Sequence, residues 1–119
     1  MSRAQECPNA YREVPIERIE QLFNQMQSQA KWNVEAPMVW GYFFFDPERE
    51  RLAQLAEEMK SSGYKLVELF KGRSMYTLHM EKIEVHTPAS LFKRNAELGS
   101  LATARCIRAY DGYDVGPVR

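Results

Sequence analysis

A chain of 119 residues is long enough for one two-layer core and too short for two domains with a linker. Lysine plus arginine number 16, balancing 16 aspartates plus glutamates, so no global field gathers nucleic acid or an anionic membrane around the protein. No apolar run approaches the roughly 20 residues that a membrane-spanning helix requires.

Residues 1–12 have no periodicity and contain Pro8 and Asn9, the composition of a mobile leader. From Pro15 onward Ile16, Ile19, Phe23, Met26 and Ala30 recur at three- and four-residue steps among glutamates and glutamines, which predicts an amphipathic helix. Its apolar stripe spans barely two heptads, so docking onto the rest of the chain is expected before self-association. Asn33 to Pro37 reads as a linker, dividing a leader and helix at 1–33 from a main domain at 34–119.

Met38 to Phe45 is nearly all aromatic or large and apolar, and too short for a buried helix, hence a strand. Asp46-Pro47 is expected to start a helix, with Asp46 as its N-cap and Leu52, Leu55, Ala56 and Met59 as its buried stripe. Gly63 ends it. Tyr64 to Phe70 and Met75 to Glu84 are predicted strands joined by a hairpin at Lys71-Gly72-Arg73-Ser74. Thr87-Pro88 opens a further helix carrying Leu91, Phe92, Leu98 and Leu101. Ala104 to Tyr110 is the last predicted strand, stopped by the turn dipeptide Asp111-Gly112, and Cys106 within it is read as a small buried hydrophobe.

Strand, helix, strand, strand, helix, strand is the order of the ferredoxin-like βαββαβ sandwich: two helices on one face of a four-stranded antiparallel sheet, the first and third strands central. If Leu78 and Met80 face the helices, His79 faces outward. Trp40, Tyr42 and Phe44 are assigned beside it on the open face, because Trp and Tyr tolerate a half-wet position, while Val39, Phe43 and Phe45 are assigned to the core. Such a patch needs a cover: the N-terminal helix, a second copy in a homodimer, or a protein partner.

The stretches Trp40-Gly41-Tyr42-Phe43-Phe44-Phe45-Asp46, Leu55-Ala56, Gly63-Tyr64, Leu98 to Ala102 and Tyr110-Asp111-Gly112-Tyr113-Asp114, in this order over residues 38–116, resemble the RraB family, regulators of ribonuclease E activity. The second aromatic of the terminal motif is more often Trp in that family than the Tyr113 found here. The resemblance implies a ferredoxin-like protein that binds a protein partner, a nuclease among the candidates, and modulates its activity without chemistry or cofactor of its own. One departure stands out: family members associated with ribonuclease inhibition carry acidic segments, whereas this chain is neutral and ends in Pro117-Val118-Arg119. The candidate contact residues are Trp40, Tyr42, Phe44, His79, Tyr110, Asp111, Tyr113 and Asp114. Asp111 and Gly112 are expected to form a tight turn after which Tyr113 folds back.

Rival chemistries find little support. His79 and His86 are seven residues apart across a strand end with no cysteine nearby, so solvent-facing polar residues explain them more simply than a metal. No serine lies in a nucleophile motif, and Lys71-Gly72-Arg73 has too few glycines for a phosphate loop. An RNA- or single-strand-binding module would use the aromatics of the first strand with Arg105 and Arg108, but the third strand offers Thr77, His79 and Glu81 where stacking aromatics are wanted. A small ferredoxin-like enzyme would have only His79 and Glu81 as acid or base. Cys7 and Cys106 stand at opposite ends without a CxxC spacing, and the N-terminus is charged where a signal peptide is apolar, so a reduced, cytoplasmic setting is expected.

Overall fold

The computed structural model describes residues 7–118. Three helices and four strands follow one another as α1 (Ile16–Ser28), β1 (Met38–Asp46), α2 (Arg49–Lys60), β2 (Lys65–Lys71), β3 (Tyr76–Glu84), α3 (Pro88–Ala104) and β4 (Ala109–Gly116). The strands form one sheet in the order β2-β3-β1-β4, with every neighbouring pair antiparallel. It is an α+β protein with the helices layered on one face of the sheet.

Register decides the faces. Trp40 opposes Lys82 and Val115, Tyr42 opposes Met80 and Tyr113, and Phe44 opposes Leu78 and Tyr110. Directly opposed residues share a face. Leu78 and Met80 are fully buried under the helices, and Trp40, Tyr42 and Phe44 are 1%, 0% and 0% exposed beside them. The expected parity is therefore inverted: these three aromatics are core, and Val39, Gly41, Phe43 and Phe45 point to the opposite face. Gly41 supplies the physical reason. On the inner face it would leave a side-chain-sized gap in the core, which interiors packed to crystal density do not leave.

α1 buries Ile19, Phe23 and Met26, and the Phe23 ring stacks on Trp40 with centroids 6.0 Å apart. It packs beside α3 and so joins the helix layer. The outer face has no helix over it among the described residues. α2 buries Leu52, Leu55, Ala56 and Met59, as its periodicity predicts, and ends at Gly63 with φ +91. It begins at Arg49, not at Pro47. Asp46 closes β1 instead, where its fully buried carboxylate accepts the N–H groups of Glu48 and Arg108, each at 2.9 Å, and faces Arg51 at 3.5 Å. α3 starts as expected: Thr87 Oγ1 accepts the Ser90 N–H, Ser90 Oγ accepts the Thr87 N–H, and Pro88 occupies the first turn.

The C-terminal third departs from the expected pattern. α3 continues to Ala104, Cys106 lies in the turn that follows, and β4 runs from Ala109 through Asp111-Gly112 to Gly116. Asp111-Gly112 does not stop the strand. Phe43 pairs with Gly112 and Phe44 with Tyr110, so Asp111 is the extra residue of a bulge and Gly112, at φ +99, provides the positive backbone angle. Cys106 is half-buried and disulfide-bonded to Cys7, in place of the free apolar thiol expected. Of the expected mobile leader, residues 1–6 lie outside the described residues, whereas 7–11 are tied down on α3, β4 and the turn between them.

Candidate functional site

The outer face of the sheet is built from one residue parity of each strand. β1 contributes Val39, Gly41, Phe43 and Phe45; β3 contributes Thr77, His79, Glu81 and Ile83; β2 contributes Lys65, Glu68 and Phe70; β4 contributes Gly112, Asp114 and Gly116. Phe70 and Ile83 are 39% and 59% exposed. At the centre the His79 imidazole lies flat on Phe43, with ring centroids 4.3 Å apart and planes 21° from parallel. Gly41 makes this possible. A Cβ at Gly41 would collide with the Asp114 carboxylate and come within 2.7 Å of His79 Nε2, so both side chains lean over the bare backbone of β1. A shallow hollow of about 470 Å³ opens at one end of this face between Val39, Lys65, Ile83 and Val118.

This surface offers stacking planes, an imidazole, a carboxylate and flanking apolar rims. Such a mixture suits contact with another protein's side chains. Of the expected contact residues it holds His79 and Asp114. Trp40, Tyr42 and Phe44 are on the other side of the sheet. So is Tyr110, which is buried, donates its hydroxyl to Asn95 Oδ1 at 2.7 Å and packs against Phe44 and Tyr11. Asp111 is exposed at the bulge. Tyr113 neither folds back nor joins the outer face: it continues β4 on the helix side, half-buried, 6.2 Å from Trp40.

A second group of polar side chains, not anticipated from the sequence, sits beneath the helices. Tyr42 donates its hydroxyl to Glu84 Oε2 at 2.7 Å; His86 Nε2 lies 3.1 Å from both that oxygen and the Tyr42 hydroxyl; Arg94 binds Glu84 Oε1 at 2.7 Å; and His86 Nδ1 meets Ser90 Oγ at 2.8 Å. Burial works to raise the Glu84 pKa, but the bonds from His86, Arg94 and Tyr42 prevail and hold it down to about 2. Burial, with the Glu84 hydrogen bond second, pushes the Tyr42 phenol far up. Tyr64 is raised to about 12 by burial, while Lys82 Nζ sits 4.6 Å over its ring. The sequence signal was Glu84 and His86 two residues apart at the end of an inward-facing strand parity. Each charged oxygen of the group has a cationic or hydroxyl partner and the Ser90 hydroxyl is engaged in the helix cap, while Arg94 Nε is buried without a partner. The group reads as an internal strut. His79 and His86 are separated by the sheet and do not converge, and among the described residues no three His, Cys, Asp or Glu side chains are grouped to hold a metal ion.

With this geometry in place, comparison with known proteins adds one match. Residues 17–115 fit the family model described as Regulator of ribonuclease activity B, RraB. No curated protein matches the chain.

Proposed function

We propose, since the chain belongs to the RraB family of regulators of ribonuclease activity, that it acts without catalysis of its own by binding a ribonuclease through the outer face of its sheet. The observation that carries this reading is the outer row Phe43, His79 and Asp114 arranged over Gly41. There a glycine is kept in a central strand, at a cost in backbone entropy, and the room it makes is filled by polar and aromatic side chains on an uncovered surface. Phe70, Phe45 and Ile83 supply the apolar surround. We assign the core to the ferredoxin-like class, an assignment supported by the antiparallel order β4-β1-β3-β2 with β1 and β3 central. The family membership favours the cytoplasm as the place of action.

RNA binding by the same face is disfavoured by charge. Glu68 and Asp114 flank the stack, and Lys65 is the one basic strand residue of that face among the described residues, so phosphates would meet net repulsion. The test uses purified ribonuclease of the E type, with binding followed by calorimetry and nuclease rate measured on an RNA substrate. Phe70→Ala and Asp114→Ala should each weaken binding at least about fivefold, roughly 1 kcal/mol, with unchanged melting. Two folded variants that bind and regulate like the parent would remove the outer face from the mechanism.

A further inference from the structure

The turn after α3 places a cysteine where the backbone favours glycine. The Cys106 N–H donates to Thr103 O at 3.1 Å and the Ile107 N–H to Ala102 O at 2.9 Å, the paired bonds of a Schellman cap. Cys106 between them has φ +58, a left-handed conformation in which any Cβ is unfavourable. What the side chain gains there is Cys7: the two are disulfide-bonded across 99 residues of sequence, with Cα atoms 5.2 Å apart, a span that a disulfide bridges.

The bridge anchors a strap. Residues 7–11 form neither helix nor strand, yet they lie on α3 and on β4. The Ala10 N–H donates to Thr103 Oγ1, the Tyr110 N–H donates to Ala10 O, each at 2.9 Å, and Tyr11 rests on Gly99, where a Cβ would collide with it. Beyond the disulfide, these contacts hold the strap together with the buried Ala10, the Tyr11 ring against Tyr110 and the Thr103 hydroxyl donating to Asn9 Oδ1 at 3.3 Å. Both sulfurs belong to half-buried residues beside an open hollow of about 260 Å³, whose rim carries Arg51 and Arg108. Asp46, the acid in its lining, is already engaged by Arg51 and by two backbone N–H groups. The Arg51 guanidinium is shared between Glu48 at 2.6 Å and Asp46 and donates to Cys106 O at 3.1 Å, which leaves Arg108 as the cation on the rim that favours the thiolate and attracts an anionic thiol.

We propose that Cys7 and Cys106 are a reversible thiol–disulfide latch that exchanges with small anionic thiols of the glutathione class and thereby clamps or releases residues 7–11. In opening, a glutathione thiolate attacks one sulfur, a mixed disulfide forms and the other cysteine leaves as thiolate. A second glutathione thiolate then attacks the glutathione sulfur of that mixed disulfide and expels the remaining protein cysteine as thiolate, so the protein takes up two electrons and two protons as two glutathiones become one glutathione disulfide. Closing is the reverse. In the open state the Tyr110 N–H loses its acceptor and the surface over Gly99 is bare.

The experiment equilibrates the full chain in mixtures of reduced and oxidised glutathione, traps thiols by alkylation and counts paired cysteines by mass. Trypsin cleavage after the exposed Arg12 and hydrogen exchange at the Tyr110 amide are read in parallel. Oxidising mixtures should close the pair, reducing mixtures should open it, and the open form should cleave and exchange about tenfold faster or more. Cys7→Ser should show the fast behaviour in every mixture, while melting as one cooperative unit. A pair that fails to form in oxidising glutathione, or stays closed in a hundredfold excess of the reduced form, overturns the latch. So do cleavage and exchange rates that are equal in the two states.

Discussion

Single residues decide which face of this sheet does what. Gly41 shares its parity with Val39, Phe43 and Phe45, and that parity is outward because a core face would be left with a hole at Gly41. The same glycine tests the outer face. Gly41→Ala should push His79 and Asp114 aside by their flexible ends, with a change in melting of a few degrees at most, while weakening partner binding; a variant that binds normally would show the stack to be incidental. On the inner side, Glu84 makes a pH prediction. Its carboxyl is lowered from 4.5 to about 2 on folding, so its contribution is complete above pH 4.5 and is lost as pH falls through the folded value. By linkage the contribution is about 3 kcal/mol at neutral pH. Glu84→Gln should therefore destabilise at pH 7 by roughly that much, leaving Arg94 without its counter-charge, and should flatten the acid limb. Urea unfolding of both proteins from pH 7 to pH 2 measures it: parallel curves across that window would mean the cluster does not hold the carboxylate in its charged form. Sequence reasoning placed the aromatics of β1 in a strand but misjudged their parity, since it weighed the tolerance of Trp and Tyr for water and not the missing side chain at Gly41. The signal was present in the sequence; the inner partners of Tyr42 were not, because Glu84, His86 and Arg94 meet only once β3 and α3 have packed.

At the scale of elements, local chemistry was readable where it acts locally. Thr87-Pro88 with Ser90 forms the reciprocal cap of α3, and Gly63 closes α2, both expected from neighbouring residues alone. Thr87→Ala should cost about 1 kcal/mol, a typical value for a lost N-cap, read as a shift in the urea midpoint; no shift would mean Ser90 alone suffices. Legibility failed where a local signal was overruled by pairing. Asp46-Pro47 looks like a helix start, but the buried Asp46 carboxylate is used to tie the end of β1 to the Arg108 N–H. Asp111-Gly112 looks like a strand stop, but β1 offers pairing partners on both sides of it, and the extra residue is absorbed as a bulge. Gly112→Val should still destabilise, because φ +99 is open to glycine and strained for a β-branched side chain by roughly 1 to 3 kcal/mol. No atom lies within 4 Å of an added Cβ, so the part of the loss that Gly112→Ala already shows comes from the backbone and not from a clash.

For the whole molecule, the alternation of elements was enough to predict an α+β layer structure, while the destination of the first helix was not. Its stripe of Ile19, Phe23 and Met26 would fit either face, and only the demand of Trp40 for a cover selects the helix side. The bond between Cys7 and Cys106 was equally illegible, since a separation of 99 residues says nothing until β4 and the strap are placed. Segregation of all three helices to one side makes the two sheet faces energetically unequal, and paired substitutions can expose the inequality. Phe23 is 6% exposed and stacked on Trp40, so Phe23→Ala removes a buried ring and should cost about 3 to 5 kcal/mol. Phe70 is 39% exposed on the outer face, and its truncation should cost well under about 1 kcal/mol in the isolated protein, as surface substitutions do. Urea midpoints of the two variants, measured with the disulfide intact, give the comparison directly. Equal losses would mean that the outer face is covered in solution by a second copy. In that case the midpoint of the Phe70→Ala variant would also shift with protein concentration, as an assembly that stabilises the fold by mass action requires.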